Sequence, residues 1–203
     1  MFESCRVYVM AANLRDSLAL ETAAHQLGFG EVVCGLGNSA ATIGRSGTTI
    51  TYFFLDYRMR DEDLIDTIAS IRQERGGQLC YSPIILFTAD RAAETVLRYV
   101  RLGFDDVISL PARRDELAER LAEQLHGQQL YIETKDYFGP DRRRLDRGAA
   151  LRLGISPHTR LVFERDPRRG IKVLDREVRG HRFKARPAPH THFMAKLFGQ
   201  HAV

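Results

Sequence analysis

Residues 49–55 have the sequence TITYFFL and lead directly into Asp56. A continuous run of β-branched and aromatic residues that ends at an acid is typical of a buried β-strand. A similar run, PIILF at residues 83–87, ends at Thr88. We therefore predict two central buried strands, each followed at once by a polar side chain.

The sequence around these two strands alternates between short apolar runs and helical patterns. We predict further strands at 6–10, 31–34 and 107–109, and helices at 14–27, 36–42, 64–72, 92–102 and 113–125. Glycines at 28, 76–77, 103 and 127 mark helix ends. Five strands alternating with helices predict an α/β fold, a five-stranded doubly wound parallel sheet.

Length and composition limit the classes of protein to which the chain can belong. The chain has 203 residues, of which 44% are hydrophobic and 28% charged, as expected for one globular domain with an extension. No apolar run approaches the roughly 18 residues of a membrane span, and residues 1–13 do not resemble a signal peptide. We expect a cytoplasmic protein. Cys5, Cys34 and Cys80 form no CxxC pair, and we predict buried free thiols.

Charge divides the chain into two parts. Residues 1–127 contain 13 arginines, no lysine and 18 acids, a net charge of −5. Residues 128–203 contain 17 basic residues and 8 acids, a net charge of +9. We therefore predict a domain at 1–127 and a basic, partly irregular C-terminal extension at 128–203. The extension could attract an anionic partner, or its charge could serve only solubility.

Ligands of doubly wound sheets bind at the carboxyl ends of the strands. In this chain those positions are Ala11-Ala12-Asn13, Asp56, Thr88 and Leu110-Pro111. We take them as the candidate site.

Four ordered motifs give residues 4–126 a resemblance to a known family. They are FFLDYRM ending at Met59, PIILFTAD ending at Asp90, LGFDDVISLP ending at Pro111, and DEL at 115–117. With these motifs at these spacings, the region resembles the receiver domain of two-component response regulators, which has a flavodoxin-like fold.

The resemblance implies a phosphorylation site. Asp56 matches the phosphoacceptor, Thr88 the hydroxyl residue that contacts the phosphoryl group, and Pro111 the proline after a lysine. In the family, two acids after the first strand help to bind Mg²⁺, and that lysine holds phosphoryl oxygens. Here Ala11 and Ala12 replace the acids, and Leu110 replaces the lysine.

Three further positions depart from the family pattern. Val107 replaces a frequent switching aromatic, Arg60 a usual proline and Leu64 a usual glycine. We hypothesise a degenerate receiver that signals by protein–protein interaction, is not an enzyme and binds Mg²⁺ weakly, through Asp56 if at all. Two alternatives are slow phosphorylation of Asp56 and an idle, solvated acid at that position.

The resemblance also implies a partner surface, made by the fourth helix, the fifth strand and the fifth helix of the predicted order. The mixed charges there suit a protein–protein contact, although a solvated face would look the same. The residues expected on this face are Arg91, Arg98, Tyr99, Arg101, Asp105, Asp106, Arg113 and Arg114.

The extension contains an arginine-rich segment at 137–147, YFGPDRRRLDR. After a predicted Gly-Pro turn it carries Arg142, Arg143, Arg144 and Arg147, which could bind phosphates bidentately and stack on flat rings. Its RxxxR spacing is similar to that of PilZ domains, and the layout resembles receiver-like proteins that bind cyclic di-GMP. Cyclic di-GMP binding is therefore an alternative function. A basic linker or a nucleic-acid-attracting arm is also compatible, but no pattern indicates specific DNA binding.

The last part of the chain gives weaker signals. Apolar runs at 161–164 and 171–174 flank a Pro/Gly turn and predict a hairpin within 160–175. A terminal helix at 191–199 would present Phe193, Met194, Leu197 and Phe198 on one face. His190 and His192 lack further ligands nearby, so we predict no metal site. No hydrolase, zinc-protease or nucleotide-binding motif is present.

Overall fold

The computed structural model describes residues 1–36, 50–74, 77–141 and 157–180. The first sheet contains five parallel strands, in the order β2-β1-β3-β4-β5. They are β1 (Cys5–Ala11), β2 (Glu31–Leu36), β3 (Ile50–Asp56), β4 (Ile84–Thr88) and β5 (Asp106–Ser109). This strand order is the flavodoxin-like, doubly wound order, and it confirms the predicted fold class.

In the described ranges four helices accompany this sheet, with a short 3₁₀ turn at Leu79–Tyr81 before β4. Side chains of α1 and α4 form one apolar cluster with the sheet, and those of α2 and α3 form another. The helices are α1 (Leu14–Leu27), α2 (Asp61–Gln73), α3 (Ala93–Leu102) and α4 (Arg114–Glu123). The predicted helix at 36–42 lies outside the described residues except for Leu36, which ends β2 instead.

Local capping explains why α1 has the predicted bounds. Asn13 caps it, because its Oδ1 accepts a hydrogen bond from the backbone N–H of Asp16 at 3.0 Å. Gly28 closes it with a left-handed φ of 82°, which glycine adopts without strain. By contrast, α2 begins three residues before the prediction. Its first turn is acidic (residues 61–63), and negative charges are favourable at a helix N-terminus.

A second sheet follows, with four antiparallel strands in the order β7-β6-β8-β9. They are β6 (Gln129–Glu133), β7 (Phe138–Pro140), β8 (His158–Asp166) and β9 (Gly170–Arg179). The last two form a hairpin that is longer than the segment predicted for one. No strand was predicted at the positions of β6 and β7.

Two sequence predictions are wrong in detail. Gly139 and Pro140 do not make a turn but lie in β7, where they pair with Ile132 and Tyr131 of β6. Proline is tolerated there because, among the described strands, β7 is at the edge of the sheet. Cys34 is exposed rather than buried, whereas Cys5 and Cys80 are buried, and all three are free thiols.

The second sheet packs against the first domain near the amino end of β4. Their shared apolar cluster joins Cys80 of the 3₁₀ turn to Tyr131, Phe138, Leu161 and Phe163. The contact therefore lies at the pole opposite the carboxyl ends of the parallel strands. In the part of the chain that the structure describes, no helix has the length and hydropathy needed to cross a bilayer.

Candidate functional site

The parallel sheet brings the predicted site residues together at one edge. Asp56 ends β3 and is opposite Phe87 of β4, and Thr88 ends β4 opposite Ser109 of β5. Asp56 is only 7% exposed, and its Oδ1 accepts a hydrogen bond from the backbone N–H of Arg58 at 2.7 Å. Burial raises the pKa of Asp56 above the usual range of an aspartate, although this hydrogen bond partly opposes the effect.

The end of β1 provides no carboxylate. Ala11 is buried and Ala12 is exposed, so neither can offer a side-chain oxygen to a metal ion. The nearest acid along the chain is Asp16, which is buried in the first turn of α1 and forms an ion pair with Arg58. Hydrogen bonds from Arg58 and from Asn13 Nδ2, the latter at 2.7 Å, lower the pKa of Asp16.

Asp16 was missed by the sequence analysis, which considered only residues directly after β1. Its negative charge contributes to the raised pKa of Asp56, which indicates that the two carboxylates are close enough to interact. The available signal was an acid three residues after the N-cap Asn13, a position that faces back toward the loop.

Arg58 is a cation within this site. It follows β3, its side chain is 51% exposed, and its guanidinium also lies over the ring of Tyr57 at 5.4 Å from the centroid. Because Asp16 accepts a hydrogen bond from Arg58, this arginine already has an anionic partner before any ligand binds. The pairing also joins the loop after β3 to α1.

Thr88 is buried and its hydroxyl already has a hydrogen-bond partner. Thr88 Oγ1 accepts from the backbone N–H of Asp90 at 3.0 Å. Asp90 in turn accepts from the N–H of Ala92 at 2.8 Å and from the hydroxyl of Thr95 at 2.6 Å. The hydrogen bond from Thr95 is the main reason why the pKa of Asp90 is lowered. Thr88 thus orders the loop that leads into α3.

Leu110 and Pro111 complete the edge of the site, and the peptide bond between them is cis. The side chain of Leu110 packs against the apolar cluster of α1 and α4 and has no hydrogen-bonding atom. Val107 is buried in the other cluster. Leu110 and Val107 therefore make apolar contacts at this edge of the sheet.

These residues do not fit Mg²⁺. The ion requires near-octahedral coordination by hard oxygen atoms, usually including carboxylates. Asp56 supplies one carboxylate, and Asp16 is held by Arg58 and Asn13. Within residues 1–36, 50–74, 77–141 and 157–180, no three His, Cys, Asp or Glu side chains are grouped so that they could hold a metal.

The expected partner surface is only partly exposed. Tyr99 is buried, and the side chain of Asp105 is 2% exposed, so neither can contribute to a contact. Asp106 pairs with Arg120 of α4. The members of the predicted set that are exposed are all arginines: Arg91, Arg98, Arg101, Arg113 and Arg114.

A second polar cluster, which the sequence analysis did not find, lies at the opposite pole. Asp105 pairs with Arg72 at 2.6 Å and with Arg165 of β8 at 2.9 Å, and all three side chains are nearly inaccessible to solvent. Tyr131 of β6 donates its hydroxyl to Asp105 Oδ1 at 2.5 Å. Burial alone would raise the pKa of Asp105, but the two guanidinium groups outweigh it and lower that pKa to about 2.

Arg165 joins the two sheets through further hydrogen bonds. Its Nε donates to the backbone carbonyl of Tyr81 at 2.8 Å, and its Nη1 donates to that of Gln124 at 3.2 Å. A fully buried guanidinium with this many acceptors fixes the second sheet to the first domain.

Other predictions cannot be compared with the structure. Arg142, Arg143, Arg144 and Arg147 lie outside the described residues. The same is true of His190, His192 and the terminal helix predicted at 191–199.

No protein-family model and no curated protein sequence matches the chain. Solved structures with a similar fold include the chemotaxis response regulator CheY4 of Vibrio cholerae, with 15% identity, a TM-score of 0.48, and coverage of 60% of this chain and 98% of that one. Full-length FixJ from B. japonicum has 19% identity and a TM-score of 0.46, with coverage of 59% and 56%. The BeF3-activated DrrB receiver domain has 20% identity and a TM-score of 0.44, with coverage of 59% and 96%. At these identities the similarity is one of fold.

Proposed function

We propose that this chain is a receiver-fold signalling protein that acts by protein–protein interaction, without a cycle of Asp56 phosphorylation. The observation that supports this most is the composition of the site around Asp56. The positions of the acid pair and the lysine hold Ala11, Ala12 and Leu110, and the nearby cation Arg58 is paired with Asp16. The proposal includes a non-enzymatic role and a cytoplasmic location.

Electrostatics explain why phosphorylation should fail. Phosphoryl transfer depends on positive groups that stabilise the charge on the transferred oxygens. In this site a phosphoryl group on Asp56 would add negative charge beside Asp16, and Leu110 could neither neutralise it nor donate a hydrogen bond. The raised pKa of Asp56 also makes the nucleophilic, ionised carboxylate less favourable.

Intact mass after incubation with acetyl phosphate and Mg²⁺ tests the proposal directly. We expect no added phosphoryl group in the folded wild-type protein or in Asp56→Asn. A gain of one phosphoryl group that disappears in Asp56→Asn would contradict the proposal and support the alternative of a slow but functional phosphoacceptor.

The partner surface in this proposal is the exposed face of α3, β5 and α4. Its accessible arginines favour a partner with acidic groups, because complementary charge speeds encounter and selects among partners. Arg98 is already paired with Asp61, and Arg113 with Asp115, so these arginines would exchange partners on binding. Specific DNA binding is not part of the proposal.

A second candidate is an effector that binds cyclic di-GMP through Arg142, Arg143, Arg144 and Arg147. The supporting observation is four guanidinium groups within six residues, in a segment rich enough in charge to bind two phosphates. Titration calorimetry would compare the wild type with Arg142→Ala/Arg143→Ala/Arg144→Ala. Binding that the triple substitution abolishes would support this candidate, and no binding by the wild type would exclude it.

A further inference from the structure

Strand β9 forms a long, exposed edge of the second sheet. Among the residues that the structure describes, it pairs with β8 alone, and every residue from 172 to 180 is exposed. Val178 is 72% exposed, the highest value among the exposed large hydrophobic residues, and Val173 is also exposed. An edge strand presents unpaired backbone N–H and C=O groups, to which another strand can bond.

The pairing with β8 shows which side chains of β9 share a face. Arg176 is opposite the buried Leu161, so it lies on the face toward the first domain, and Val178 lies on the same face two residues on. Asp175, Glu177 and Arg179 lie on the other face. A register shift between Val162 and Phe163 places a bulge at residue 174, so only residues 175–179 alternate regularly.

This alternation makes one self-pairing of β9 favourable. Two antiparallel copies related by a two-fold axis place one central residue opposite itself and keep each side chain on its own face. Centring the pair on Asp175, Arg176, Glu177 or Arg179 would bring identical charges together, which destabilises a sheet. Centring on Val178 places two valines in contact and sets Glu177 of each copy opposite Arg179 of the other. Within one copy these two residues already form an ion pair at 2.6 Å, which would be exchanged or shared between the copies.

We propose that β9 is a homodimerisation strand, which pairs antiparallel with β9 of a second copy about Val178 and joins the two four-stranded sheets into one. This inference is independent of the proposed signalling function. The paired segment is short, and strand pairing alone buries less surface than a standard stable interface. We therefore expect a reversible dimer with a Kd between about 10 µM and about 1 mM.

Sedimentation equilibrium of the full chain over that concentration range tests the proposal. Val178→Lys places two ammonium groups opposite each other and should weaken self-association at least about tenfold. Leu18→Lys makes the same substitution at another exposed aliphatic position, on α1, and should leave self-association unchanged. Circular dichroism should show that both variants stay folded, because both side chains are exposed.

Charge exchange provides the sharper test, because it distinguishes pairing between copies from effects within one copy. Glu177→Arg alone would face Arg179 of the second copy, and Arg179→Glu alone would face Glu177, so each variant should be monomeric. Their equimolar mixture should form a heterodimer, because each cross-strand pair is then one arginine and one glutamate. The double variant Glu177→Arg/Arg179→Glu should regain self-association.

Three results would overturn the proposal. The first is a wild-type chain that stays monomeric through the whole range, as expected if residues 181–203 or a strand of another protein cover β9. The second is a dimer that persists in Val178→Lys, which would place the interface elsewhere. The third is a mixture of the two single charge variants that remains monomeric.

Discussion

Asp56 ends β3 at the carboxyl edge of the parallel sheet, but the surrounding residues disfavour its charge. Burial and the charge of Asp16 raise its pKa, which means that the ionised form is less favourable in the folded state than in the unfolded state. Asp56→Asn should therefore increase the free energy of unfolding at neutral pH, since asparagine can still accept the hydrogen bond from Arg58.

The stabilisation expected of Asp56→Asn depends on pH, because it comes from removing the ionised carboxylate of Asp56. The stabilisation by Asp56→Asn should shrink as pH falls toward about 3.9, because the carboxyl of the wild type then becomes neutral in both states. Urea unfolding at neutral and acidic pH would measure it, with Asp66→Asn on the exposed side of α2 as the control. A loss of stability at neutral pH would instead indicate that the Asp56 carboxylate has a favourable partner.

Arg165 differs from Asp56, because several hydrogen-bond acceptors surround its buried charge. Arg165→Met should lower the free energy of unfolding by about 3–5 kcal/mol, the cost of breaking a buried ion pair and leaving its partners without a donor. Arg168→Met, in the exposed turn of the same hairpin, should change it by less than about 0.5 kcal/mol. Equal effects of the two substitutions would show that the buried network contributes little.

At the scale of elements, the proposed function attributes the loss of phosphorylation to three side chains in the loops after β1 and β5. Restoring them with Ala11→Asp/Ala12→Asp/Leu110→Lys should give a Mg²⁺-dependent gain of one phosphoryl group with acetyl phosphate, because carboxylates and a cation then surround Asp56. The same variant with Asp56→Asn is the control. If the folded triple variant gains no phosphoryl group, the Asp16–Arg58 pair or the loop geometry must also block the reaction.

The elements that the sequence predicted well are those with local signals. Asn13 and Gly28 determine both ends of α1, and the apolar runs of β3 and β4 are self-evident, since their pattern does not depend on distant residues. Strand β7 was misread because its Gly-Pro pair is typical of a turn, and only pairing with β6 makes it a strand. A three-residue strand is too short to show an alternating sequence pattern, so its pairing with a distant strand cannot be predicted from the sequence.

In the candidate site, too, local positions could be predicted and contacts between distant residues could not. Asp56, Thr88 and Leu110 could be placed at one edge because parallel strands align their carboxyl ends. The ion pair of Asp16 with Arg58 joins residues 42 positions apart, and the pair of Asp105 with Arg165 joins residues 60 apart. Composition cannot indicate which arginine meets which acid. For that reason Asp105 was predicted at the surface, although it is among the most buried charges described.

Across the whole molecule, the two polar clusters lie at opposite poles of the parallel sheet. The second sheet is attached at the amino ends of β4 and β5, through Asp105 and Arg165. Among the described residues, the ion pairs of Asp105 involve neither Asp56 nor the exposed arginines of α3 and α4. The described part of the extension therefore leaves the proposed partner surface open, and β9 points a separate edge toward solvent.

Because a buried ion-pair network joins the two sheets, they should unfold together and should lose stability together in acid. The pKa of Asp105 is lowered to about 2, so its contribution is complete above its unfolded pKa of about 3.9 and disappears as pH falls through about 2. The lowered pKa of Asp105 corresponds to about 2–3 kcal/mol of stability.

Hydrogen exchange between pH 5 and pH 2, followed by mass spectrometry, should show peptides from β1–β5 and from β6–β9 losing protection in one transition. Asp105→Asn should already be less stable at neutral pH and should show a flatter dependence of stability on pH. If the peptides of β6–β9 lose protection well before those of β1–β5, the second sheet is an independent unit and the network does not couple it to the first.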